Sequence, residues 1–228
     1  RAAAVSLPAV RYDEAVARLA TLPEVLPPWS ERLRPLRLDS DTGRWHATER
    51  HGDRMVMDGP GRPASVLVLI TPGDDGDANV ILTERVARGG RPHSGEISFP
   101  GGVREPGDRD AIHTALREAE EEVGLDAEAA GVRVIGLLDV FAIPVSGFAV
   151  TPVLAIAERR PGLTANPAEV ARILEAPVRH FLPGAPVEMH ERRQADWTLR
   201  FGAYHVEEHV VWGATARILS QLGALIGD

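Results

Sequence analysis

Residues 117–125, Arg-Glu-Ala-Glu-Glu-Glu-Val-Gly-Leu, constrain this chain more than any other stretch. The segment from about Asp110 to Val123 has helical apolar spacing, and Gly124 is well placed to stop it. Four glutamates, Glu118, Glu120, Glu121 and Glu122, crowd its last turns. Helix C-termini carry partial negative charge, and like charges three or four residues apart repel by roughly 0.2–0.5 kcal/mol per pair. On a wheel of about 100° per residue, Glu118, Glu121 and Glu122 share one arc, while Ile112, Leu116, Ala119 and Val123 form another. Such a helix lays its apolar side on a core and presents three carboxylates on another face, with Glu120 left to solvent. Arg117 precedes Glu121 by one helical turn and is spaced to brace it.

The rest of the chain supplies strands for that helix to cover. Ala64–Thr71 reads as a buried strand, and Asn79–Arg85 as its antiparallel return across a Gly-Asp-Asp-Gly-Asp turn. A short extended piece at Ile97–Phe99 leads into Pro100-Gly101-Gly102. Further strands are expected near Val132–Phe141, Phe148–Ala157 and Arg172–Leu174, a short helix after Pro177, and a final helix at Gly213–Ile226. Asp139, Pro144, Ser146, Gly147 and Pro152 break the apolar reach Gly136–Ala157 into two strand-length pieces, so it is a hairpin rather than a membrane span. Strands and helices interleave without regular alternation, which predicts an α/β (α+β) fold with a mixed sheet between helices. Before it, an amphipathic helix at Tyr12–Leu22, a proline-rich joint at Leu26–Trp29 and a polar stretch through Gly61 read as an extension, residues 1–62, packed on a domain of residues 63–228.

Composition narrows the chemistry. The formal net charge of -8 argues against a generic nucleic-acid or anionic-membrane binder. All 25 basic residues are arginine, which removes Schiff-base lysines and lysine-bearing phosphate loops. Arginine must therefore meet any phosphate, and Arg85, Arg88 and Arg91 are the candidates, since a guanidinium fork matches phosphate geometry. The absence of cysteine excludes disulfides, thiol catalysis and thiolate metal sites. The first ten residues lack a long apolar run, so no signal peptide is expected and the cytoplasm is the default location. A homodimer is compatible with the sequence.

The three carboxylates suit a hard divalent cation such as Mg2+, which takes oxygen ligands and bridges one or two carboxylates to substrate phosphates. Gly101-Gly102 lets backbone approach a ligand closely, and Asp108 lies where it can cap the helix. Taken alone, the glutamates also fit a solvated surface face and the glycine pair an ordinary turn.

Together with Gly101-Gly102, the run at 117–125 resembles the Nudix box, G-x5-E-x7-R-E-U-x-E-E-x-G-U with U aliphatic. Arg117, Glu118, Glu121, Glu122, Gly124 and Leu125 match its second half, with Ala119 at the first aliphatic position. The first half departs: Asp108 replaces the early glutamate and one extra residue intervenes before Arg117. Leu82-Thr83-Glu84-Arg85, Arg91, Gly95 and Phe99–Gly102 are similar to the extra motif of the coenzyme A pyrophosphatase branch, with one added residue before Arg91. Gly147–Pro152 and Val211–Ala216 also resemble that branch, so the likeness spans about residues 64–220.

The resemblance implies a Nudix-type α/β/α sandwich and Mg2+-dependent hydrolysis, with Mn2+ as an alternative ion. The small-molecule nucleotide substrate would be coenzyme A or a derivative, yielding adenosine 3',5'-bisphosphate and 4'-phosphopantetheine. Glu118 and Glu122 are then the first-choice metal ligands, Glu121 a further ligand or the base, and Glu169 a second candidate base. Arg117 joins the catalytic set, and Arg85, Arg91, Gly101 and Gly102 the substrate-binding one. ADP-ribose, NADH and dinucleoside polyphosphates are alternative substrates within the superfamily, and a noncatalytic interaction module is an alternative of another class. His205-Val206-Glu207-Glu208-His209 fits the H-x-x-E-H zinc-peptidase pattern, but the Thr-Leu-Arg-Phe-Gly-Ala-Tyr before it reads as strand or loop, and Asp228 is the sole acid downstream.

Overall fold

The computed structural model describes residues 7–47, 61–87, 95–143, 146–194 and 197–227. In chain order these form α1 (Tyr12–Leu19), β1 (Leu36–Leu38), β2 (Trp45–Ala47), β3 (Arg62–Pro72), β4 (Ala78–Arg85), β5 (Ile97–Ser98) and β6 (Gly101–Val103). There follow α2 (Ala111–Val123), β7 (Val132–Leu137), β8 (Phe141–Ile143), β9 (Phe148–Ala157), β10 (Val170–Pro177), β11 (Glu188–Gln194), β12 (Trp197–Val206), β13 (His209–Val211) and α3 (Gly213–Ile226). A short 3-10 turn at Val178–Phe181 follows β10.

The larger sheet has the order β10-β4-β3-β9-β7, with β5, β6 and β8 added on β4, β3 and β9. Its β3–β9 pair is parallel and its other pairs are antiparallel. The two central strands are apolar almost throughout because both of their faces are covered. Leu67 and Leu69 of β3 and Val153, Ala155 and Ala157 of β9 join Ala115, Ala119 and Val123 of α2 in one core. The alternate residues Val68, Ile70, Leu154 and Ile156 join Ala15 and Leu19 of α1 and Ile218, Leu219 and Leu222 of α3 in the other. This period of two sends successive side chains to opposite faces, and it produces a mixed sheet between helices, as the sequence patterning predicts.

A second, antiparallel sheet has the order β11-β12-β1-β2, with β13 paired to the end of β12. Only β12 is anticipated by the sequence, where Thr198–Tyr204 reads as strand or loop. β1 and β2 are three residues each, and β11 is Glu-Met-His-Glu-Arg-Arg-Gln, which carries no apolar alternation. Cross-strand chemistry holds β11 instead: Glu191 pairs in register with Arg200 and accepts its Nη2 at 2.7 Å. Residues 7–47 thus contribute to both layers, since Arg11 and Tyr12 also bond the β3–β4 turn and the Tyr12 hydroxyl donates to Ala157 O at 2.6 Å.

Boundaries shift for local reasons. α1 ends at Leu19 rather than Leu22, ahead of Pro23, which disfavours helix in the residue before it. The expected Val132–Phe141 strand splits into β7 and β8, with a register shift between Val134 and Gly136. β10 outruns the expected Arg172–Leu174, pairing with β4 from Val170 to Pro177. Arg88, Arg91 and Pro144 lie outside the described residues.

Leu154 is fully buried, whereas Val25 is 82% exposed. Leu154→Ala is expected to lower unfolding free energy by about 2–5 kcal/mol and Val25→Ala by less than about 0.5 kcal/mol, measured by denaturant titration.

Candidate active site

Helix α2 begins where Asp110, in extended conformation, accepts the His113 N–H at 2.8 Å. Asp110, not Asp108, is therefore the N-cap. At the other end Gly124 takes φ 64°, and its N–H reaches Glu120 O at 2.9 Å. Thr164 N–H donates to Val123 O at 2.8 Å and Asn166 N–H to Glu122 O at 2.9 Å. The segment that carries Glu169 is thereby stitched to the last carbonyls of α2. Those added donors offset part of the negative potential that the glutamates meet there.

Asp108, released from capping, clasps Arg117. Its Oδ1 accepts Nε and its Oδ2 accepts Nη2, each at 3.0 Å. Glu105 N–H, His113 Nδ1 and the Thr114 hydroxyl complete its shell at 2.9–3.0 Å. The bidentate guanidinium, foremost, holds the Asp108 carboxyl well below the usual range. Arg117 also donates Nη2 to Glu118 and Nη1 to Glu121, both at 2.9 Å. One guanidinium thus sets two carboxylates of the acidic face, and the extra residue before Arg117 does not prevent the Asp108 contact.

Glu122 is 2% exposed. Its Oε2 accepts the Gly101 N–H at 3.0 Å, and Oε1 lies 3.6 Å from Arg85 Nη1. Burial pushes its pKa up to about 7, against the opposing pull of Gly101 and Arg85, and the negative charges of Glu118 and Glu169 add to the rise. Burial likewise raises Glu118, with contributions from Glu121 and Glu169. Glu121 is more than half exposed beyond its pair with Arg117, and Glu120 is exposed.

The glycine pair makes this approach feasible. β6 pairs with β3 at Ser65↔Gly102 and Val66↔Gly101. A Cβ on Gly102 would lie 2.5 Å from the Glu118 carboxyl group, and one on Gly101 would run into the backbone of Ser65 and Val66. A side chain at Gly101 would therefore force β6 away from β3, and one at Gly102 would displace the Glu118 carboxylate from the acidic face. Thr215 Oγ1 donates to Ile97 O at 3.1 Å, tying the start of α3 to β5 ahead of the glycines.

The geometry therefore gathers Glu118, Glu122, Gly101, Gly102 and Arg85, with Glu121 at the rim and the charge of Glu169 felt by Glu118 and Glu122. Sequence reasoning missed His113 and Thr114 as Asp108 partners. The signal available was their placement five and six residues after Asp108, on the first turn of α2. The H-x-x-E-H segment is not helical: His205 is the penultimate residue of β12, His209 opens β13, and Val206 pairs with His209 across the turn. Its two histidines therefore do not share a helix face.

The NUDIX domain family profile matches residues 61–172. The chain is 39% identical over 174 residues to Nudix hydrolase 22, chloroplastic, of Arabidopsis thaliana, covering 72% of this chain and 55% of that protein. It is 34% identical over 197 residues to the uncharacterized Nudix hydrolase NudL of Cronobacter sakazakii, covering 85% of this chain and 97% of that one. The chain thus spans about half the length of its plant relative and nearly all of the bacterial one. Among solved structures, the Nudix hydrolase RenU from M. smegmatis aligns with TM-score 0.44 at 26% identity, over 57% of this chain and 82% of that one.

A carboxyl group with a raised folded pKa favours the folded state while protonated. In metal-free protein, the contribution of Glu122 is fully present below its unfolded value near 4.5 and is lost as pH rises through about 7. Metal-free protein should lose up to about 3 kcal/mol of stability over that window, and Glu122→Gln should abolish that part of the dependence. Denaturant unfolding at stepped pH measures both.

Proposed function

The chain belongs to the Nudix hydrolase family, and from that membership we propose that it cleaves the pyrophosphate of coenzyme A or an acylated or oxidised derivative. The products are adenosine 3',5'-bisphosphate and the 4'-phosphopantetheine portion. The observation that carries the reading is the meeting of Arg85, Gly101-Gly102 and Glu122 at one place. Two separate segments with coenzyme A-type resemblance, Leu82–Arg85 and Phe99–Gly102, thus converge on the acidic helix. The third, Val211–Ala216, reaches the same strand group through Thr215.

The residues present fit a hard divalent ion, Mg2+ or Mn2+. Their side-chain donors are carboxylate oxygens, and burial, with a smaller share from mutual repulsion, raises Glu118 and Glu122, a cost that a nearby cation would relieve. Glu118 and Glu122 would hold it, with Glu121 or Glu169 adding a ligand. When bound, such an ion lowers the pKa of water and stabilises charge on phosphoryl oxygens.

The chain's own groups do the positioning. Gly101 N–H fixes the rotamer of Glu122, and Arg117 fixes Glu118 and Glu121. The Nε, Nη1 and Nη2 of Arg117 are all engaged by protein oxygens, so it is a positioning residue in this reading rather than a phosphate ligand. Arg85, 42% exposed at its side chain, can turn from Glu122 toward a substrate phosphate. Glu121 or Glu169, both reached by solvent, takes the proton of the attacking water.

Glu122→Gln should lower turnover by about 100-fold or more with an unchanged circular dichroism spectrum. Incubation with Mg2+ and a panel of coenzyme A, ADP-ribose, NADH and dinucleoside polyphosphates, resolved by chromatography, should show coenzyme A consumed fastest. A preference for ADP-ribose would overturn the substrate and keep the site. Wild-type turnover in Glu122→Gln would overturn the site.

A further inference from the structure

A second constellation lies on the other sheet. The ligand atoms of Glu188, His190 and His205 lie within 4.8 Å of one another. His190 Nε2 is 3.3 Å from His205 Nε2, and Glu188 Oε2 is 3.1 Å from His205 Nε2. Ligands bound at about 2.0–2.1 Å to one tetrahedral ion stand about 3.3 Å apart. The three side chains are thus spaced as ligands around a shared centre.

Strand register explains the convergence. Glu188 lies opposite Ala203 and His190 opposite Phe201 on the antiparallel β11–β12 pair. Alternation brings residues 188 and 190 to the same face as residues 201, 203 and 205. The small Ala203 leaves room between the ligands. Phe201 stacks on the His190 imidazole at 5.8 Å with a 17° interplanar angle, which orients that ring.

We propose that Glu188, His190 and His205 form a binding site for a divalent transition-metal ion of the zinc class, which ties the start of β11 to the end of β12. Two imidazoles and a carboxylate suit Zn2+ and its neighbours, whereas Mg2+ selects all-oxygen donors. This site and the one proposed on α2 would therefore sort their ions by ligand chemistry. Three protein ligands leave a fourth tetrahedral position for water. The adjacent Glu207, Glu208 and His209 also come together. There Arg172 Nη1 stands 2.6 Å from Glu208 and 3.3 Å from His209 Nε2, so a fixed positive charge already occupies that space. His205 of the H-x-x-E-H run is thus a ligand, but its partners come from β11 rather than from that run.

The test titrates the metal-stripped 228-residue chain with Zn2+ by calorimetry, and with Co2+ by visible absorption. One equivalent of zinc and the intense bands of tetrahedral Co2+ are expected for wild type, for Glu122→Gln and for His209→Ala. The double variant His190→Ala/His205→Ala should lose both, with affinity falling by more than the about 10–100-fold that loss of an outer-shell partner costs. Should the double variant fail to fold, His205→Gln at its exposed position serves instead, with the same loss expected. Wild type without a saturable zinc site, or equal zinc binding with His205 replaced, overturns the proposal. Loss of zinc in Glu122→Gln also overturns it, because the ion would then sit among the helix glutamates.

Discussion

The clasp between Asp108 and Arg117 is the contact on which the acidic helix depends. Three glutamates on one face repel, and the C-terminal end of a helix is the wrong end for them. A guanidinium placed inside the cluster reverses the sign of the nearest interactions, but only if it is itself held. Asp108 holds it through two parallel bonds from the turn before α2, leaving Nη1 for Glu121 and a shared Nη2 for Glu118. Because Arg117 is mostly shielded, with 18% side-chain exposure, this brace is screened less by salt than a surface pair.

A second constraint acts from the sheet. Gly101 and Gly102 run alongside β3, so the backbone comes near enough to the helix for a main-chain N–H to bind Glu122 directly. The core beneath α2 sets small residues, Ala115 and Ala119 on the helix and Ala155 and Ala157 on β9, among the larger Leu67, Leu69 and Val153. Small packing residues bring helix and sheet together, and that closeness is what buries Glu122. Its raised pKa is thus first a product of burial, with the neighbouring charges of Glu118 and Glu169 adding to it.

Much of this was legible beforehand, and for identifiable reasons. β3 and β9 announce themselves as nearly unbroken apolar runs bounded by turn residues, α2 by apolar residues at the helical period, and the arc holding Glu118, Glu121 and Glu122 follows from helix geometry alone. The Arg117–Glu121 pair is likewise local. Apart from β12, the second sheet was hidden, since β11 is held by cross-strand charge and β1 and β2 are too short to show periodicity. The clasp was hidden too: whether Asp108 caps a helix or grips an arginine is decided by how the turn before α2 folds back, which no spacing rule states. The same holds for His190, which meets His205 only through the register of two strands.

The parallel pairing of β3 with β9 has a consequence for how the chain reaches this form. Arg62 aligns with Phe148 and Ile70 with Ile156, so everything from the β3–β4 hairpin through α2 and β7 is synthesised between the two partners. Closing such a long-range pair costs loop entropy before any contact repays it. As the chain leaves the ribosome, the apolar flanks of β3 stay unshielded until β9 emerges. This makes the interval between them the window in which the nascent polypeptide is most exposed to aggregation and to capture by chaperones.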